Sequence, residues 1–247
     1  MGRERIHSID ILKGAALVLM VLYHGLFSLV YLFGVPLRWL ESSAAVQMSI
    51  PLIGGCFVLM SGISSQFSRS SLKRGIRIFL LGMMMTAVTA LVVPELTIRF
   101  GILHLLGCSM MLIYFLRPLL EKIPTAGGLL LSLLLFAVSF RLPKGLLGLG
   151  PFSLEFQIQN PYLFPLGLLA DGFSSSDYYP LMPWFFLFCA GSFLGRWIKE
   201  GRAFHWVYTA RMPFLEKLGR HTLLIYILHQ PVLIALFWVA FRVFPLE

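Results

Sequence analysis

The sequence predicts an all-α protein, a polytopic integral membrane helical bundle of about seven transmembrane helices with its N-terminus cytoplasmic. Three observations predict it. Of its 247 residues, 58% are hydrophobic and only 13% charged, and the mean hydropathy is +0.83; a soluble domain averages about 25% charged. The apolar residues gather into successive runs, most of them long enough to cross roughly 30 Å of hydrocarbon at about 1.5 Å per helical residue. The basic residues collect between alternate runs: fourteen Lys and Arg fall on the N-terminal side of the predicted topology and five on the other, with Lys13 inside the first run. That asymmetry places the N-terminus inside and the C-terminus outside.

Each run can be justified in order. The segment MGRERIHS leads into apolar residues 9–33, too long for the core of a signal peptide and without an A-x-A cleavage pattern, so it reads as a retained first span. The second span covers about 50–66, with Pro51 in its first turn, where a missing N–H costs little. Its Gly54, Gly55, Ser61, Gly62, Ser64 and Ser65 give small faces suited to close helix packing. The loop with Arg69, Lys73, Arg74 and Arg77 is the densest basic cluster and reads as cytoplasmic. The third span runs over 78–93, ends at Pro94, and turns tightly into the fourth over 100–116. A shorter fifth span covers 127–140. Residues 141–179, rich in Gly, Pro and aromatics, read as a partly folded extracytoplasmic cap with interfacial or re-entrant pieces around 164–169. The sixth span covers 180–197, a basic segment follows, and the seventh covers 222–244 with an interruption at Pro231. With no internal repeat, the chain reads as one domain over 1–247.

Composition also excludes function classes. A net charge of +9 on a soluble protein would suggest nucleic acid, but here the cations flank apolar runs, where topology accounts for them. Cys56, Cys108 and Cys189 lie within apolar runs without metal-ligand spacing and read as packing residues, and no metal is expected.

The chemistry concentrates in Ile9 to His24, IDILKGAALVLMVLYH, which carries Asp10, Lys13 and His24 into an apolar helix. A charge at the bilayer centre costs roughly 2.5 to 3.5 kcal/mol on insertion scales, so such groups have a partner or a task. Lys13 and His24 are eleven residues apart, which at about 100° per residue leaves them within roughly 20° of one face and about 16 Å apart along it. His104 lies just inside the fourth span. Thr222, Tyr226 and His229 recur at i, i+4 and i+7 on the seventh.

These residues resemble a known family, the transmembrane acyltransferases, specifically bacterial proteins with the heparan-alpha-glucosaminide N-acetyltransferase catalytic domain, with a more distant likeness to the type-three acyltransferases. The resemblance rests on R-x-x-x-ID-x-L-K-G from Arg5 to Gly14, on the spacing from Lys13 to His24, and on RFGILHLLG from Arg99 to Gly107. It continues with DYYPLMPW from Asp177 to Trp184 and LGRHTLLIYILHQP from Leu218 to Pro231. Many relatives carry Arg where this chain has Lys13, and lysine offers a point charge in place of a bidentate fork.

The resemblance implies an acyltransferase that moves an acetyl or other short acyl group from cytoplasmic acetyl-CoA to a hydroxyl or amine of an extracytoplasmic sugar or glycan-like acceptor. His24 would be the general base, and Lys13, Asp10, His104, Asp177, His229 and Gln230 would bind substrate. Expected partners are the lipid bilayer, acetyl-CoA and the acceptor, with a homodimer allowed and nucleic acid excluded. The expected location is a bacterial inner membrane. Plainer readings stand beside these: an interfacial Asp10–Lys13 ion pair, a structural His104, interhelical packing for His24 and His229, and a solvated acid at Asp177. A proton-coupled carrier using the same ionisable track is the alternative function.

Overall fold

The computed structural model describes residues 6–37, 39–40, 43–68 and 70–243. Arg5 of the N-terminal motif and Arg69 of the basic cluster lie outside them. The long helices are α1 (His7–Tyr31), α2 (Ala44–Ser65), α3 (Ser71–Val92), α4 (Ile102–Leu120), α5 (Thr125–Ser139), α6 (Leu181–Lys199) and α9 (Thr222–Val243). Two short ones, α7 (His205–Thr209) and α8 (Pro213–Arg220), lie between α6 and α9. Among the described residues, seven helical segments are long and apolar enough to cross a membrane, so this is an all-α, multi-pass integral membrane protein.

The chain forms two compact units, one of Met1–Phe57 with Ala203–Glu247 and the other Val58–Arg202. In the first, α1 packs against α7, α8 and α9. Its contact with α8 is backbone on backbone, because a Cβ on Gly14 would meet the Leu215 carbonyl and one on Gly219 would meet the Asp10 carbonyl. The pairings run in opposite senses, so α1 and α8 are antiparallel. α9 instead runs parallel to α1: His24 meets His229, Ser28 meets Gln230, and Phe33 meets Phe237 and Phe241.

In the second unit, α3 and α4 form a tight antiparallel hairpin. Gly75 lies against the Gly107 carbonyl, Gly107 against the Phe79 backbone, and Gly82 against the His104 ring. The hairpin α5–α6 follows the same sense, with Phe193 filling the space beside Gly128 and Trp184 set against Phe136 and Phe140. Gly62 of α2 and Gly191 of α6 approach so closely that a Cβ on either would meet the other helix's backbone, the small-residue packing that the second span suggested.

Several local readings change. α2 begins at Ala44, six residues before the expected start, which puts Pro51 well inside the helix. The apolar residues ahead of the proline carry the helix through, although Pro51 cannot donate to the carbonyl four residues back. α9 likewise continues through Pro231 without the expected interruption. α3 starts at Ser71, so Lys73, Arg74 and Arg77 belong to its first turns, not to a loop. The segment 141–179 contains a two-stranded antiparallel hairpin, β1 (Leu146–Leu149) with β2 (Phe152–Glu155). Gly150 holds φ 54° at the first central position of its two-residue turn, ahead of Pro151, a backbone state that favours glycine. The region around 164–169 is a short 3₁₀ turn at Phe164–Leu166.

Candidate active site

α1 is one uninterrupted helix from His7 to Tyr31, so Lys13 and His24 do share a stripe of it. Both are partly buried, whereas Asp10 is 8% exposed. The parallel contact with α9 then brings His24 and His229 together, with ring centroids 4.8 Å apart and planes crossing at 61°. Tyr23 adds an edge contact to His24 at 5.5 Å.

Hydrogen bonding fixes the tautomer of His229. Its Nδ1 lies 2.6 Å from the Tyr226 carbonyl oxygen. A carbonyl can only accept, so Nδ1 carries the proton and Nε2 of the neutral ring keeps its lone pair. That Nε2 is buried and has no partner among the described residues. The carbonyl that Pro231 leaves without its helical donor is that of Ile227, and His229 bonds the one before it, of Tyr226. Gln230 repeats the pattern. Its Nε2 donates to Ser28 Oγ at 2.9 Å, and its Oε1 is buried without a partner among the described residues. An orphaned buried acceptor costs about 1 to 3 kcal/mol. Two such acceptors thus lie on adjacent residues of α9, and the ring of His24 is set against the first of them.

His104 and Asp177 belong to the second unit. His104 is 2% exposed. Its Nδ1 accepts the Gly101 N–H at 3.2 Å, which places the proton on Nε2, 3.3 Å from Thr86 Oγ1. Phe100 stacks on the ring and Phe79 meets its edge, at centroid distances of 5.5 and 5.6 Å. With both nitrogens engaged and both apolar neighbours in place, this histidine ties the start of α4 to α3.

Asp177 serves the same helix end. Its Oδ2 accepts the Ile102 N–H at 3.0 Å, satisfying one of the unpaired donors of the first turn of α4 and placing a carboxylate at the positive end of the helix dipole. Gly101 leaves room for it, since a Cβ there would meet that oxygen. The surrounding segment is stitched to the α3–α4 turn: Tyr179 N–H donates to the Phe100 carbonyl at 2.9 Å and Ser176 Oγ to the Leu96 carbonyl at 2.6 Å. Tyr178 donates its hydroxyl to the Phe164 carbonyl at 2.6 Å, and burial pushes its phenol above the usual range. Two motifs far apart in sequence, RFGILHLLG and DYYPLMPW, thus meet in one capping arrangement.

The sequence reading missed Glu216. This carboxylate is 5% exposed on α8 and is paired with His7 Nδ1 at 2.5 Å and with Arg220 at 3.3 Å, while it also accepts the Met212 N–H at 3.2 Å. It is one of two acids, with Glu200, among the basic residues of the 196–220 segment, and that was the signal available. Among the described residues no cluster of His, Cys, Asp and Glu could hold a metal ion.

The chain matches the family model described as heparan-alpha-glucosaminide N-acetyltransferase, catalytic, over residues 5–231. No curated protein and no solved structure matches it.

Proposed function

Since the chain belongs to the heparan-alpha-glucosaminide N-acetyltransferase catalytic family and is a membrane enzyme of the acetyltransferase type, we propose that it moves an acetyl group from acetyl-CoA to a sugar hydroxyl or amine at His24. The observation that carries this reading is the juxtaposition of His24 with His229, whose Nε2 is buried and has no partner among the described residues. An acceptor O–H or N–H would complete that orphaned nitrogen and the Gln230 Oε1.

In the proposed reaction, His24 takes the proton from the acceptor oxygen or nitrogen as that atom attacks the acetyl carbonyl carbon. The tetrahedral intermediate collapses with cleavage of the carbon–sulfur bond. CoA leaves as the thiolate, and the imidazolium returns its proton to it. A base placed in this way contributes about 10²- to 10⁴-fold. Lys13 is about 16 Å away along the same stripe, toward the end of α1 that the charge distribution assigns to the cytoplasm. It attracts the phosphates of acetyl-CoA from that side, and Asp10 orients it. The acceptor enters from the opposite, extracytoplasmic face of a bacterial inner membrane.

The test is purified protein in detergent with radiolabelled acetyl-CoA and a panel of amino- and hydroxyl-bearing sugars. Label on a sugar, dependent on acetyl-CoA, is the expected result. Sugar flux across proteoliposomes that is indifferent to acetyl-CoA, with no label transferred, would replace the enzyme with a carrier.

A further inference from the structure

The C-terminal ends of α4 and α6, both in the second unit, enclose a cavity of about 110 Å³. Arg117, Arg196 and Lys199 line it together with Gln66 and Ser192, and Glu121 is the one carboxylate in the lining, so its formal charge is three minus one, or +2. Topology alone explains cations at span ends, and an anchoring residue extends toward water. Arg196 does otherwise.

Its guanidinium folds under α4, Nη1 donating to the carbonyls of Leu120 and Glu121 at 3.3 and 3.5 Å and Nη2 to that of Ile123 at 2.7 Å. It also lies over the Phe193 ring at 4.9 Å. Its Nε–H donor is buried and has no acceptor among the described residues. Ser192 Oγ accepts from Gln66 Nε2 at 2.7 Å, which commits a lone pair and leaves the hydroxyl proton to donate. Arg117 shares only Nε with Glu121, at 2.8 Å. Glu121 is exposed, and the hydrogen bond and charge of Arg117, helped by Arg196 and Lys199, hold its carboxyl below the usual range. Three cations therefore line one cavity, and Glu121 is the one anion in that lining.

We infer that this cavity is a phosphate site. Donors arrive from three side-chain types and several directions, which suits an oxyanion with more than two oxygens. Phe193, Leu120 and Ile113 supply an apolar wall for the carbon stem of the ligand. The phosphate comes either from an anionic lipid headgroup, since the site lies at the ends of two membrane-spanning helices, or from a soluble phosphoester. The proposal draws only on residues outside the acetyl-transfer site, so either can fail without the other.

The experiment uses the full chain in detergent and measures Kd for two probes, short-chain phosphatidylglycerol and glycerol 3-phosphate, with phosphatidylcholine as the zwitterionic control. Lys199→Gln should weaken binding about three- to tenfold, the loss of one partly screened charge contact. Glu121→Gln should tighten it by a similar factor, because the competing carboxylate is gone and the backbone carbonyl that Arg196 uses is kept. Arg196→Gln should weaken it at least as much, read beside a melting curve because this residue also closes α4. A response to phosphatidylglycerol alone assigns the site to lipid, and a response to glycerol 3-phosphate alone assigns it to a soluble ligand. Kd values within twofold of wild type for both probes in Lys199→Gln and Glu121→Gln would overturn the site. So would weakening by Glu121→Gln, which would make the cluster an internal ion network.

Discussion

His24 and His229 lie in helices whose other residues are mostly apolar, and what distinguishes His229 from a packing residue is an unfilled hydrogen-bond capacity at Nε2, against which His24 is set. His104 has none: both its nitrogens are engaged and its ring is enclosed. The same criterion sorts Asp177, whose carboxylate caps α4. Asp177→Ala should therefore cost about 1 kcal/mol of stability, within the 0.5 to 2 kcal/mol range of lost caps, and leave the acetyl-transfer rate per folded molecule unchanged. Asp177→Asn, which keeps the acceptor oxygen, should restore most of the loss in a melting curve. A rate that falls in both variants while stability holds would return Asp177 to the substrate. Spacing along one helix made the shared face of Lys13 and His24 legible in the sequence. The pairing of His24 with His229 was not legible, because it depends on two helices 200 residues apart running parallel in register. Nor was the cap at Asp177, which joins residues 75 apart in sequence.

Among the helices, glycine decides the closest approaches. α1 and α8 touch through Gly14 and Gly219 at distances that admit no side chain. Gly14→Ala or Gly219→Ala should destabilise the protein by about 1 to 3 kcal/mol through forced separation of the backbones. Gly127→Ala on α5 is the control of opposite sign: nothing lies within 4 Å of a Cβ there, and the better helix propensity of alanine adds up to about 1 kcal/mol. Thermal unfolding of the three variants in one detergent checks this, and equal shifts in all three would contradict it. The long helices were readable because hydrophobic length is a strong signal in a membrane protein. α7 and α8 were not. Their 5 and 8 residues carry too few apolar positions to register, and their helicity depends on docking against α1, including the Glu216–His7 contact. The β1–β2 hairpin had a local cue in Gly150-Pro151, but its strands of 4 residues each are too short for alternation to stand out.

For the whole molecule, the charge asymmetry predicts orientation. Residues 141–179 and the 200–221 segment flank α6, which at 19 residues is about 28 Å long, so they should lie on opposite sides of the membrane. With the native cysteines replaced by serine, Ser153→Cys should react with a membrane-impermeant maleimide added to intact cells and Gly201→Cys only after lysis. The reverse pattern would invert the topology and the proposed direction of transfer. The most direct test of acetyl transfer at His24 is CoA thiol release by reconstituted protein at saturating acceptor, with acetyl-CoA affinity measured in parallel. His24→Ala should lower release by about 10²-fold or more, the share of a general base, and leave the acetyl-CoA Kd within about twofold; release undiminished by His24→Ala would contradict the account.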